Sequence, residues 1–180
     1  MDEPEWETVN EEELWKYVGW HLADKGIQSV LVGGAVVSIY SKGAYRSGDI
    51  DLVEPIVSKA KEIKSVMESI GFRKVSRHYV HLKCKHLFIE FVPGPVSIGE
   101  DYKIVPDEKE FEGRILKIFS PTDCIKDRLS SYIHFKAREC LDQALLVAKN
   151  QRFDMRQIKE WCIREGEPGR SAFEEFQALL

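Results

Sequence analysis

The first third of the chain reads as a helix, a short apolar run and a second apolar stretch. Four apolar residues at helical spacing predict the first helix: Leu14, Tyr17, Val18 and Leu22. Thr8 or Asn10 can cap that helix, and Gly26 ends it. The run 29–32, bounded by a glycine pair, predicts a buried strand, and residues 35–40 predict a helix that begins directly after the glycines.

The middle of the chain predicts further strands around one amphipathic helix. After a polar loop at 41–48, residues 49–53 alternate acidic and aliphatic side chains, which is typical of a strand with one polar face. Residues 56–70 place an apolar side chain every three or four positions, so they predict a helix that Gly71 ends. The remaining strand candidates are 73–83, 87–92, 104–105 and 115–119.

The pattern becomes helical from Ser120 to the end of the chain. The tetrapeptide 120–123 (Ser-Pro-Thr-Asp) is typical of a helix start, and the residues after it predict two or three helices. We therefore expect an α/β (α+β) fold, in which helices flank a mixed sheet. Residues 1–119 would form the α/β domain, and 120–180 a C-terminal helical region.

Length and composition narrow the class of protein. The chain has 180 residues, of which 43% are hydrophobic, so it can build a sizeable core. No apolar run approaches the roughly 20 residues of a membrane-spanning helix, and the acidic N-terminus is unlike a signal peptide. A soluble cytoplasmic protein without a membrane partner is expected. The four cysteines are scattered, which predicts small buried side chains and not a disulfide framework or zinc site.

Charge is unevenly distributed along the sequence. The net charge is -4, yet residues 1–13 contain seven acids and no base, so the rest of the chain is about +3. A slightly basic body is compatible with a ligand that carries phosphate. The sequence shows no long basic stripe, and therefore does not predict a large nucleic-acid partner.

The most informative segment contains a glycine pair and two aspartates. Asp49 and Asp51 stand two positions apart on a predicted strand, so their carboxylates share one face. Two like charges so close repel each other unless a cation lies between them, and carboxylate oxygens suit Mg²⁺. Gly33 and Gly34 end the preceding strand, where backbone N–H groups without flanking side chains can approach a phosphate.

A third carboxylate lies in the apolar strand 87–92. Glu90 needs a partner if it is buried, because an unpaired charge in an apolar environment is costly. One interpretation is that its strand lies beside the two aspartates and supplies a third metal ligand. The other is that Glu90 lies on an edge strand and pairs with Lys83 or Lys85.

These residues resemble a known superfamily. The relevant segments are Gly33-Gly34-Ala35, then Arg46-Ser47-Gly48-Asp49-Ile50-Asp51-Leu52, and Glu90 on a later strand. Together they are similar to nucleotidyltransferases with a DNA polymerase β-like fold. Within that superfamily they resemble the minimal prokaryotic nucleotidyltransferases of the AbiEii and MntA types and related uncharacterised proteins. The resemblance covers about residues 28–92.

The resemblance implies transfer of a nucleoside monophosphate from a nucleoside triphosphate to a hydroxyl group by a two-metal mechanism. It implies that Asp49 and Asp51 hold both Mg²⁺ (or Mn²⁺) ions, while Glu90 holds the catalytic one and helps to activate the hydroxyl. Gly33 and Gly34 would cradle the triphosphate. The acceptor stays open between an RNA end, a protein side chain and a small molecule.

Three further residues are candidates for phosphate contacts. Many active members have a serine where this chain has Gly34, and Ser38 either replaces that serine or packs inside its helix. Lys42 and Arg46 lie in the loop before the aspartates, where they either meet phosphate or are solvated. Arg46 has the further alternative of pairing with one of the aspartates.

Histidines and C-terminal cations give weaker indications. The three histidines around the predicted hairpin, His78, His81 and His86, are interpreted as surface or packing residues. Three cations at the start of the helical tail, Arg128, Lys136 and Arg138, either line a cleft over the sheet or lie on a solvated helix face.

A second class of function is open. The missing serine at Gly34 is compatible with a nucleotidyltransferase-like domain that has lost turnover and serves as a nucleotide-binding or protein-interaction module. Such a module, or the enzyme itself, could be a toxin–antitoxin component that acts through a partner protein.

Overall fold

A mixed sheet of seven strands organises the chain in the computed structural model, which describes residues 1–54 and 59–180. The strands are β1 (Val30–Val32), β2 (Asp49–Glu54), β3 (Phe72–Val75), β4 (His78–His81), β5 (Cys84–Pro93), β6 (Asp107–Phe111) and β7 (Arg114–Ile118). The helices are α1 (Glu11–Asp24), α2 (Gly34–Tyr40), α3 (Ala60–Ser69), α4 (Pro121–Phe135), α5 (Arg138–Asn150), α6 (Met155–Arg164) and α7 (Gly166–Leu179). The predicted α/β class is confirmed.

The order of strands across the sheet is β3-β4-β5-β2-β1-β7-β6. Strand β2 pairs with β5 in parallel, β1 pairs with β7 in parallel, and the other neighbours are antiparallel. Helix α1 packs against β7, and α3 packs against β3. Helices α2, α4 and α5 contact one another. The two glycines and the two aspartates thus lie on neighbouring central strands or at their ends.

Local sequence signals account for most element boundaries. Asn10, one of the two predicted caps, accepts a hydrogen bond from the backbone N–H of Glu13, whose carboxylate bonds the Asn10 N–H in return. Ser120 caps α4 by accepting from the N–H of Asp123, with Pro121 in the first turn, as its sequence predicts.

Several predicted elements need correction. The single strand expected over 73–83 is two strands, because Ser76 takes a positive φ of 57° and turns the chain. Residues 104–105 lie outside the strands, and the strand that pairs with β7 is Asp107–Phe111, whose charged, exposed side chains hid it. The tail forms four helices and not two or three, since the chain turns at Glu165 between the last two and Gly166 begins α7 with a φ of 75°. Part of the helix predicted over 56–70 lies outside the described residues.

Buried side chains confirm the interpretation of the cysteines. Cys84, Cys124, Cys140 and Cys162 are all buried and free. Burial raises the pKa of the Cys140 thiol and raises that of Cys162 to about 12, so both stay protonated at neutral pH. Within the two described stretches, none of the helices has the length and apolar character needed to cross a membrane.

Candidate functional site

Three carboxylates share one face of the sheet. Asp49 and Asp51 lie two residues apart on β2, and Glu90 of β5 pairs directly with Asp51 in the parallel register. Residues paired on adjacent strands point to the same side, so the predicted strand neighbourhood of Glu90 is confirmed. The geometry brings together groups that are 39 residues apart in sequence.

The glycine turn closes directly over Asp51. Gly33 has φ 73° and ψ −151°, a backbone region that only glycine occupies readily. A Cβ atom at Gly33 would lie 2.5 Å from Oδ2 of Asp51, which leaves no room for a side chain. The first glycine is therefore required both by the backbone conformation and by the approach of the carboxylate.

The second glycine makes room for Ser47, a residue that the sequence reading did not single out. A Cβ atom at Gly34 would lie 2.7 Å from the Ser47 hydroxyl oxygen. That hydroxyl donates a 2.7 Å hydrogen bond to Oδ1 of Asp49. Ser47 therefore lies between the glycine turn and the first aspartate and orients its carboxylate.

A buried glutamate from α1 holds the loop that carries Ser47. Glu11 is 1% exposed, and its Oε1 accepts a 2.7 Å hydrogen bond from the Ser47 N–H. The same oxygen lies 3.2 Å from Nε of Arg46. Arg46 thus pairs with Glu11, and not with Asp49 or Asp51 as one interpretation had it. Glu11 belongs to the acidic N-terminal run, whose pattern is typical of a solvated face or of a helix start, and it is the first residue of α1.

Negative charges crowd around the buried Asp51 carboxyl. Burial, followed by the negative charges of Asp49 and Glu90, raises the pKa of Asp51 to about 7, while Arg128 opposes them. A buried carboxylate surrounded by like charges favours a bound cation or a proton. The donor chemistry of the aspartate pair therefore fits a hard divalent cation that keeps several waters.

The third carboxylate has other partners. Oε2 of Glu90 lies 3.1 Å from Nε2 of His78, and Oε1 lies 3.5 Å from Nε of Arg77. Neither Lys83 nor Lys85, the partners considered from sequence, makes this contact. Among the described residues, no three Asp, Glu, His or Cys side chains converge as a metal site. The aspartate pair offers two carboxylates of the kind that a hard cation prefers, whereas Oε2 of Glu90 is engaged by His78.

Helix α4 contributes a guanidinium next to the acids. The Arg128 side chain is 15% exposed, which differs from a solvated helix face. It donates to Asp127 through Nη2 at 2.6 Å and to Gln143 through Nη1 at 3.2 Å. Its positive charge lowers the pKa of Asp51 and of Tyr45 against the raising effect of burial. Lys136 and Arg138 are exposed.

The other predicted phosphate contacts surround a separate groove. Ser38 is buried in α2 with 4% of its surface exposed, and Lys42 follows that helix as an exposed side chain with φ 55°. With Arg46 and Glu11, they line a groove of about 320 Å³. Neither the glycine pair nor the aspartates line it. Their role in phosphate binding stays a prediction.

Similarity to solved structures extends over nearly the whole chain, whereas no protein-family model and no curated protein matches the sequence. An antigenic nucleotidyltransferase-like protein from Paracoccidioides brasiliensis has a TM-score of 0.64 at 14% identity, covering 94% of this chain and 88% of that one. The solution structure of the antibiotic-resistance factor ANT(2'')-Ia has a TM-score of 0.54 at 14% identity, covering 95% and 96%. The crystal structure of ANT(2'')-Ia in complex with adenylyl-2''-tobramycin has a TM-score of 0.52 at 14% identity, covering 92% and 95%. The chain has the nucleotidyltransferase fold.

Proposed function

We propose that the protein is a nucleotidyltransferase that moves a nucleoside monophosphate from a nucleoside triphosphate to a hydroxyl acceptor, with Mg²⁺ or Mn²⁺ bound at Asp49 and Asp51. The observation that carries this proposal is the aspartate pair under the glycine turn, with Glu90 next to Asp51. The shared fold adds support, since one of the similar structures is ANT(2'')-Ia in complex with adenylyl-2''-tobramycin.

The reaction exchanges one phosphorus–oxygen bond for another. The acceptor oxygen would form a bond to the α-phosphorus, the bond from that phosphorus to the oxygen leading to the β-phosphate would break, and pyrophosphate would leave. The hydroxyl proton would pass to a carboxylate of the site and then to water. Divalent cations, when bound, supply charge neutralisation on the phosphates and orient the two oxygens.

Each residue of the site has a separate role in this proposal. Ser47 would fix the orientation of Asp49 through its 2.7 Å hydrogen bond. Gly33 and Gly34 would let the triphosphate approach the backbone N–H groups of the turn. Glu90 would act as a ligand and proton acceptor after its contact with His78 opens. Lys42 and Arg46 would contact phosphate only if the nucleotide reaches their groove.

Thermal unfolding with Mn²⁺ and each nucleoside triphosphate tests the site. A ligand that binds only the folded state raises the melting temperature, so we expect a rise with Mn²⁺ and a larger rise with Mn²⁺ and the preferred nucleotide. The Asp49→Asn variant should lose both responses, and the exposed Asp142→Asn variant should keep them. No response of the native protein to saturating Mn²⁺ and nucleotide would contradict the proposal.

A second candidate function is a nucleotide-binding or protein-interaction module without turnover. The contacts of Glu90 with His78 and Arg77 favour it, because they occupy the third carboxylate. Such a module could still be part of a toxin–antitoxin pair in the cytoplasm. Nucleotide binding without pyrophosphate release, in the presence of Mn²⁺ and a broad mixture of acceptors, would support this candidate over the first.

A further inference from the structure

Positive charge is concentrated in the strands that form the β3 edge of the sheet. Residues 70–89 contain five lysines and arginines, three histidines and no acid, in a chain whose net charge is -4. The members are Arg73, Lys74, Arg77, Lys83, Lys85, His78, His81 and His86. The fold arranges this segment as β3, β4 and the first half of β5. The sheet thus gathers these cations at one edge, on both of its faces, although the sequence shows no long basic stripe.

Part of this basic segment shares a face with the carboxylates. Val75 pairs with His78, His78 with Glu90, and Glu90 with Asp51, so one row of side chains crosses four strands. Arg73 stands two residues before Val75 and therefore points to the same side. Since neighbouring strands lie about 4.8 Å apart, β3 is about 14 Å from the aspartates of β2.

The surface between Arg73 and Asp49 offers rings as well as charge. Phe88 pairs with Asp49 across the parallel register, and its ring centre lies 4.4 Å from that of His78. A groove of about 320 Å³ runs beside the Phe88 ring and is lined by Arg73, Lys85 and Phe88, among others. Phe88 and His78 are half-buried, while Arg73 and Lys85 are exposed.

The opposite face of β3 is the one that a helix covers. Helix α3 packs against β3, and its residues Ala60 and Ile63 line a cavity together with Lys74 and Tyr79. Lys74 and Tyr79 pair with each other and alternate with Arg73 and His78 along their strands. The face with Arg73 is thus the outer continuation of the carboxylate site.

We propose that the surface formed by Arg73, His78, Lys85 and Phe88, here called the basic shelf, binds the single-stranded end of a nucleic-acid acceptor. Cations next to stackable rings are the chemistry by which proteins hold single strands, because phosphates meet the charges and bases meet the rings. The strand would extend from the shelf toward the aspartates and place its terminal hydroxyl there. The role of this strand as the acceptor rests on the proposed function, whereas its binding to the basic shelf does not.

Fluorescence anisotropy with a labelled single-stranded RNA of about 12 nucleotides tests the shelf without metal or nucleotide. The Arg73→Gln/Lys85→Gln variant should bind at least tenfold more weakly at about 0.1 M salt. Its affinity should also depend less on salt, with the log–log slope smaller by about 1.4, because each lost phosphate contact to a single strand removes about 0.7. Phe88→Leu, which keeps an apolar side chain without a ring, should weaken binding at least fivefold.

The matched control places the same charge change elsewhere. Lys149 and Lys159 are exposed on α5 and α6, and the Lys149→Gln/Lys159→Gln variant should bind RNA within twofold of the native protein. Absence of RNA binding by the native protein, or an equal loss in the control variant, would overturn the proposal. Binding of polyglutamate, or of vesicles in which about one third of the lipid is phosphatidylserine, with the same affinity as RNA would also overturn the assignment of nucleic acid as the ligand.

A second variant separates this inference from the proposed function. Asp49→Asn/Asp51→Asn should still bind RNA but no longer support nucleotide incorporation. If the native protein binds RNA through the basic shelf but incorporates no nucleotide, the proposed function is contradicted and the inference of RNA binding at the shelf stands. If the native protein incorporates nucleotide into a protein or a small molecule and does not bind RNA, only the inference of RNA binding at the shelf is contradicted.

Discussion

Replacing Asp51 by asparagine should stabilise the metal-free protein at neutral and alkaline pH. Burial, followed by the charges of Asp49 and Glu90, raises the pKa of Asp51 from 3.8 to about 7. Each unit of difference between folded and unfolded pKa is worth about 1.4 kcal/mol, so the complete difference corresponds to about 4 kcal/mol. Ionisation of the Asp51 carboxyl therefore costs less free energy in the unfolded chain than in the folded one.

The sign of the effect follows from proton binding. Below about pH 4 the carboxyl is protonated in both states and contributes nothing. Between about pH 4 and 7 the folded state binds the proton more tightly, so stability falls as the pH rises, and above pH 7 the loss is complete. Asparagine removes the charge and nearly keeps the shape, so its advantage grows over the same range.

Urea unfolding at about pH 4 and pH 8 measures this difference. We expect Asp51→Asn to gain about 2 to 4 kcal/mol at pH 8 over its value at pH 4, since structural relaxation reduces the full figure. In thermal unfolding the gain corresponds to about 6 to 12 °C. Asp142→Asn, a change at an exposed carboxylate of α5, should differ by less than about 0.5 kcal/mol between the two conditions. A gain that is equal at both pH values, or a loss at pH 8, would refute the electrostatic reasoning.

Three further predictions concern the glycine turn, Glu11 and the buried cysteines. Gly33→Ala should destabilise the protein by about 1 to 3 kcal/mol and abolish the rise in melting temperature with Mn²⁺. The control Gly43→Ala, at φ 80° with open space around it, should keep that rise. An unchanged response to Mn²⁺ in Gly33→Ala would contradict the close packing of Gly33 on Asp51. Glu11→Ala should lower the free energy of unfolding in urea by about 1 to 3 kcal/mol, because the Ser47 N–H loses its acceptor. Glu11→Gln should recover part of that loss, and the control Glu12→Ala should change the free energy of unfolding by less than about 0.5 kcal/mol. Equal losses in the two Ala variants would contradict the role of Glu11. The four buried cysteines should react with a thiol reagent at pH 8 only as fast as the protein unfolds, and rapid labelling in the folded state would contradict their burial.

Residues whose placement depends on short-range periodicity could be predicted from the sequence. The alternation over 49–53 put Asp49 and Asp51 on one strand face, and the glycine pair at a strand end predicted the turn beside them. The position of Glu90 next to Asp51 also follows from its strand, once β5 pairs with β2. These elements need only local patterns and one strand pairing.

Contacts between distant segments could not be predicted in the same way. Glu11 lies 36 residues before Ser47, and an acidic helix start looks the same whether it is solvated or buried. His78 reaches Glu90 only because β4 pairs with β5, with a register irregularity next to it. The basic shelf likewise depends on which strand forms the sheet edge. In each case the partner is chosen by how distant elements pack together, which periodicity alone does not specify.

An incorporation assay with α-labelled nucleoside triphosphates tests the central claim most directly. The native protein, Asp49→Asn/Asp51→Asn and Asp142→Asn would be incubated with Mg²⁺ or Mn²⁺ and a mixed pool of RNA, protein and small molecules. We predict label in an acceptor with the native protein and Asp142→Asn, and none with the double variant. Label that persists in the double variant would show that transfer does not depend on these aspartates. No label in any reaction, although nucleotide binds, would contradict the claim that this site is an active nucleotidyltransferase.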